Sequence, residues 1–295
     1  MGSVFESEES INDEPPAEAD SDTSEGIKAH VMISRSTVAS ADATSAHAMA
    51  HFAVASRADN RTLVAAGLQT RTPSVGTCEG LVDPSSESFT EFDEVQLLDV
   101  GEVSIQPLDA SDNLGNRGAT QAISLAPHAF PSISSFASGV MYTSRDREAA
   151  TFPSGLTYRV AVSGSDEVGG FRLEATAPKQ LMNITLSGEP LSLVTEITKQ
   201  EPLDVTWSVG APGDVVVVEL VDASDSYAFV RCAFADETGA GSIPAERMTG
   251  LLGKGDVVLH RYRSLQAPLS DEVAPDSEVR LLFDFETGTS VDFRR

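Results

Sequence analysis

Positive charge is scarce in this chain, and lysine nearly absent. Four lysines (Lys28, Lys179, Lys199, Lys254) stand among 20 basic residues against 45 acidic ones, giving a formal charge of −25. A surface of that sign repels polyphosphate, because the electrostatic contribution that dominates nucleic-acid affinity would oppose binding. Nucleic acid is therefore excluded as a partner, and an anionic membrane is repelled on the same ground. No stretch approaches the roughly 18 consecutive apolar residues that a membrane-spanning helix needs. The opening Met1-Gly2-Ser3-Val4 has no charged region followed by an apolar one, so export or membrane attachment would rest on a leader or N-terminal anchor not present in this chain.

Cysteine is almost as rare. Cys78 and Cys232 are the two in the chain, too few for a disulfide-dense miniprotein or a zinc site of cysteine alone. Two readings stay open: a pair of buried free thiols, or one long-range disulfide tying the halves of the chain together. The second requires an oxidising compartment. Aromatics make up 6% of the residues and Trp207 is the single tryptophan, which leaves little for a platform on which sugars stack.

Catalytic fingerprints are missing as well. Dinucleotide-binding and P-loop glycine patterns are absent. The nearest string to a nucleophile elbow, Val162-Ser163-Gly164-Ser165-Asp166, lies in a hairpin rather than at a strand-to-helix turn. Paired carboxylates of glycosidase type cannot be singled out among so many acids. The expectation is a protein that is not an enzyme and takes no cofactor.

What is present is β-pattern. Residues 1–27 come first, as a disordered acidic tail or tether: Glu6, Glu8, Glu9, Asp13, Glu14, Glu18, Asp20, Asp22 and Glu25 face no basic residue before Lys28. Such a composition buries too little apolar surface to offset chain entropy. Beyond it, short runs of alternating or β-branched residues recur between turn signals. Residues 31–33, 47–57, 95–105, 123–130, 139–142, 156–163 and 171–176 read as strands, with Gly101 a pivot inside the third. After Ala177-Pro178, the best boundary, come strands at 181–186, 191–197, 203–209, 215–218, 227–234, 257–263, 278–285 and 290–293. Ala245 to Leu252, with Pro244 at its start and Gly250 or Gly253 at its end, is the one helical turn expected. The fold class is all-β, with a β-sandwich at 28–178 and a second at 179–295.

Candidate ligand groups are few. His47 and His51, four residues apart, could reach one metal from a helix or a single strand face, but no third ligand lies near and surface histidines are the plainer reading. The loops Asp109-Ala110-Ser111-Asp112-Asn113-Leu114-Gly115 and Asp222-Ala223-Ser224-Asp225 offer hard oxygens of the kind calcium takes, without EF-hand spacing; Asx-turn chemistry explains both. Asn60-Arg61-Thr62 and Asn183-Ile184-Thr185 match the glycosylation acceptor pattern. No metal-ligating residue is selected.

One resemblance emerges from the second half. Leu203-Asp204-Val205-Thr206-Trp207 and Gly213-Asp214-Val215-Val216-Val217-Val218-Glu219-Leu220 are similar to the middle strands of an immunoglobulin-like or fibronectin-type sandwich. With Val230-Arg231-Cys232-Ala233-Phe234-Ala235-Asp236, Gly241-Ser242-Ile243-Pro244-Ala245 and Val257-Val258-Leu259-His260-Arg261-Tyr262-Arg263, the series resembles the closing domain of poorly characterised exported bacterial lipoproteins. The resemblance implies stacked β-sandwich modules held at an envelope membrane through a lipidated N-terminal cysteine and a disordered spacer. The expected function is accordingly a non-enzymatic, extracytoplasmic structural or binding protein of the cell envelope, with a protein or surface glycan as partner. A carbohydrate-binding module or hydrolase using loop carboxylates is the alternative. So is residence in the cytoplasm of a salt-adapted organism, where the acidity would be adaptation alone.

Overall fold

The computed structural model describes residues 26–39, 44–54, 63–64, 69, 72–80, 95–108, 122–130, 137–144, 147–148, 152–166, 168–223, 229–269 and 277–294. The tail assigned to residues 1–27 falls almost wholly outside them, as do the loop at 109–118 and Asn60. The described chain is nearly all strand, as the alternating pattern predicts. The first ten are β1 (Ile27–Val38), β2 (Thr44–Val54), β3 (Cys78–Gly80), β4 (Val95–Leu97), β5 (Val103–Leu108), β6 (Ile123–Phe130), β7 (Ala137–Thr143), β8 (Arg147–Glu148), β9 (Thr157–Val162) and β10 (Phe171–Thr176). The rest are β11 (Thr185–Leu186), β12 (Glu189–Pro190), β13 (Glu196–Thr198), β14 (Leu203–Thr206), β15 (Val215–Asp222), β16 (Phe229–Ala235), β17 (Ala240–Ile243), β18 (Gly253–Pro268) and β19 (Glu278–Arg294). Where the sequence predicts strands at 278–285 and 290–293, one continuous strand runs instead, because Glu286 to Thr289 keep full pairing with β18. The strand expected at 181–186 shrinks to Thr185–Leu186, and the helical turn after Pro244 is a single 3-10 turn at Ala245–Arg247.

Two sheets result. The larger runs β10-β9-β5-β6-β7-β4-β2-β1-β19-β18-β15-β16-β3, and the smaller β12-β11-β14-β17. The antiparallel pair β18–β19 is the spine of the larger sheet. Its flank is made by β1, which lies parallel to β19 from Lys28↔Glu278 to Val38↔Gly288, so the first described strand pairs with the last. Strand β6 changes partners midway: Ile123 to Leu125 pair with β5, and Ala126 to Phe130 with β7. That switch folds β5, β9 and β10 back over β1, β2 and β19.

Two apolar cores form against the inner face of the spine. In the first, Val31, Ile33, Ala48, Ala50 and Phe52 meet Val103, Ile105, Tyr158 and Val160, with Leu281, Phe283 and Phe285 of β19 supplying part of the wall. Ring contacts between layers, Tyr158 with Phe283 at 5.7 Å and Phe52 with Phe171 at 6.3 Å, mark the packing. In the second, the small sheet lays Leu203, Val205, Trp207 and Ile243 on Val216, Val218, Leu220, Cys232, Leu259 and Phe293. Val279, Leu281, Phe283 and Phe285, which follow Ala177-Pro178 in the chain, thus pack into the first core.

A polar belt separates the cores. On the inner face of the spine, the alternation that delivers Leu259 to one core next delivers Arg261 and Arg263. Arg261 is 1% exposed; it donates to the carbonyls of Lys179, Gln180 and Ser208 and pairs with the fully buried Asp236 at 2.8 Å. Arg263 grips Asp214 with two hydrogen bonds of 2.7 Å and donates to the carbonyls of Thr176 and Ala177. A buried guanidinium is tolerated only when its fixed fork of donors is matched, and the backbone of residues 176–180 supplies much of the match. The connection at residues 176–180 is therefore strapped by two arginines. Gly210 is required beside this belt, since a Cβ there would sit 1.9 Å from Asp236 Oδ2.

Candidate functional site

Alternation that sends Cys232, Val218, Leu259 and Arg261 inward sends Arg231, Glu219, His260 and Tyr262 to the outer face of the larger sheet. On β19, the inward Phe283 and Phe285 leave Asp284 and Glu286 outward. Register then brings these side chains together: Glu219 stands opposite Arg231, His260 opposite Glu286, and Tyr262 opposite Asp284. The surroundings are apolar for an outer face, with Val217, Ala233, Tyr262 and Leu282 forming a small buried cluster against Met32 and Val215.

His260 is at the centre. Its Nδ1 lies 2.9 Å from Asp284 Oδ1 and 3.4 Å from Glu286 Oε2, while Nε2 faces Glu219 Oε2 at 3.6 Å. Glu219 is itself held by Arg231, whose Nη2 and Nε donate at 2.6 and 3.0 Å. The Tyr262 ring lies flat against the imidazole, centroids 5.4 Å apart with 2° between planes. His260 and Asp284 are each only 8% exposed. Burial pulls the imidazole pKa down, but Asp284, through its charge and hydrogen bond, together with Glu286 and Glu219 outweighs it, and the net shift is upward. Burial, reinforced by Asp284, pushes the Tyr262 phenol well up, so it stays neutral. One atom each from His260, Asp284 and Glu286 lie within 4.8 Å of one another, close enough to share a cation.

A second histidine pair occupies the same face. His30 and His51 are opposed on β1 and β2, their rings 5.1 Å apart, at a cleft of about 150 Å³ that Lys28, Gln69, Gln266, Glu278 and Arg280 also line. His51 is 1% exposed, and its Nδ1 has no hydrogen-bond partner among the described residues. Burial first, then the neighbouring His30, lowers its pKa to about 3.

These placements correct both readings of His47 and His51, the shared metal site and the alternative of two surface histidines. Four residues along an extended strand put them roughly 13 Å apart; His47 is exposed while His51 is buried. In the acidic loop at 222–225, Asp222 is buried and accepts the Leu252 amide at 2.6 Å, while Ser224 and Asp225 lie outside the described residues. Ser163 Oγ accepts the Glu102 amide in a hairpin connection, with no nucleophile-elbow geometry. Asn183 is exposed at a left-handed turn, φ 53°. Cys78 and Cys232 stand opposite each other on β3 and β16 and form a disulfide.

The cluster around His260 escaped the sequence reading. One signal was available: inward Leu281, Phe283 and Phe285 imply that Asp284 and Glu286 share the opposite face, as Leu259 implies for His260. That the two faces coincide depends on a pairing register that no local pattern encodes.

No protein-family model and no curated protein matches the chain. Among solved structures it is similar to the yeast delta-COP-I mu-homology domain complexed with a Dsl1 WxWxV peptide, and to the same domain alone. Identity is 10% in both, with 91% of this chain covered, 96% and 98% of theirs, and a TM-score of 0.22. A likeness that slight carries no argument about fold or function.

Proposed function

We propose that this is a non-enzymatic, extracytoplasmic β-protein acting in envelope structure or in recognition of a protein or surface glycan. Its two cores correspond, on this reading, to two sandwich modules of immunoglobulin-like or fibronectin-like type that share one long sheet. The observation that carries the proposal is the Cys78–Cys232 disulfide, which joins strands 154 residues apart. Disulfides persist in oxidising compartments and are uncommon in the cytosol. The dense acidic segment before Lys28 supports a solvated spacer between an anchor and the folded body. Trp207 counts against the sugar-binding alternative: it is buried, and its indole N–H donates to Asp236 Oδ1 at 2.8 Å.

Thiol labelling tests the proposal. Protein taken from its native compartment, denatured without reductant, is expected to label at no cysteine, and at both after reduction. Two free thiols before reduction would sink the extracytoplasmic assignment and favour the cytoplasm of a salt-adapted organism.

A further inference from the structure

We propose that His260, Asp284 and Glu286 form a binding site for a first-row divalent metal ion of the Zn2+ class. The donor set is one imidazole nitrogen and two carboxylate oxygens, a mixture suited to such ions rather than to calcium or magnesium, which prefer oxygen alone. The spacing fits: tetrahedral ligands about 2.1 Å from zinc stand roughly 3.4 Å from each other, and His260 Nδ1 is already 2.9 and 3.4 Å from its two carboxylate partners.

Charge carries the argument further. Glu219, Asp284 and Glu286 surround one imidazole, and Arg231 offsets one of the three. With His260 neutral the cluster holds two uncompensated negative charges in a largely buried setting. A divalent cation offsets both.

The arrangement behind the imidazole points the same way. A metal-bound histidine usually directs its other ring nitrogen at a carboxylate, which fixes the tautomer and raises basicity. Here Nε2 faces Glu219, and Glu219 is fixed by two hydrogen bonds from Arg231. The parallel Tyr262 ring sets the plane of the imidazole. Every contributing residue is on a strand, so register holds the geometry. Glu286, whose side chain is 27% exposed, leaves a way in for the ion.

Co2+ titration of the chelator-treated full chain tests this. In about 1 M NaCl the Debye length is about 3 Å, which suppresses diffuse binding to the acidic surface. The expected result is one saturable equivalent with visible d–d absorption, displaced by Zn2+ and unaffected by excess Mg2+. Glu286→Gln should weaken it by about tenfold or more, and Glu219→Gln by roughly 10–100-fold. Absence of a saturable spectrum, equal affinity in Glu286→Gln, or displacement by Mg2+ would each overturn the site. Should Glu286→Gln fail to fold, the unaltered protein still decides: bound Co2+ must shift the ring resonances of His260, and an unshifted His260 overturns the proposal.

Discussion

Replacing Asp236 by alanine is expected to cost about 3–5 kcal/mol of stability, the range for stranding one partner of a buried ion pair. Asp236 is fully buried, and its Oδ1 accepts from both the Arg261 guanidinium and the Trp207 indole at 2.8 Å. Removing it leaves a cation with no counter-charge and an indole N–H reduced to its 3.1 Å contact with the Asp236 carbonyl. The loss should appear as a lower denaturant midpoint with little change in slope. Adding Arg261→Met to Asp236→Ala should recover part of the loss, because a methionine at this position demands no charge partner. An Asp236→Ala loss below about 1 kcal/mol would show that the belt tolerates an unpaired guanidinium, contrary to the burial argument.

The second large effect is an acid sensitivity due to one histidine. His51 has a folded-state pKa of about 3, against 6.5 for an unhindered imidazole. Between these values the unfolded chain binds a proton that the folded chain refuses, so stability falls as pH falls. The contribution is intact above about pH 6.5. The expected loss is about 3 kcal/mol at pH 4.5 and about 4 kcal/mol at pH 3. His30 faces the ring, and Lys28, Glu278 and Arg280 share the cleft. The His51 share is isolated by comparing pH–stability curves with His51→Gln, which should be flatter between pH 6.5 and 3. Superimposable slopes would refute the assignment.

Much of the fold was legible in local pattern. Alternation at 123–130 and 171–176 locates β6 and β10 to the residue, and the β-branched run at 215–218 is buried at Val216, Val217 and Val218 as a strand covered on both faces should be. The expected boundary at Ala177-Pro178 does not by itself divide the cores, since Val279, Leu281, Phe283 and Phe285 belong to the same core as Ala177. What local pattern lacks is partner identity. Nothing near Ile27 announces that β1 will lie along β19, and a parallel pairing has no hairpin to signal it. Arg261 and Arg263 read in sequence as ordinary polar positions; the acids that bury them lie 25 and 49 residues away. The His260 cluster was missed for the same reason, since it assembles from four strands.

The placement of β19 beside β1 has a consequence for biosynthesis. Ile27 at the start of β1 hydrogen-bonds to Ser277, 250 residues later, and Leu281, Phe283 and Phe285 are needed to close the first core. At roughly 5–20 residues per second, a chain growing from its N-terminus waits about 10–50 s for that wall to arrive. During this interval the inner face of β1 and β2, including Val31, Ile33 and Phe52, has no complete partner layer, and the free edge of β1 is open to pairing with other chains. Closure over so long a loop also places this topology among slow folders. Assembly of the first core thus becomes one of the last events in the making of the protein.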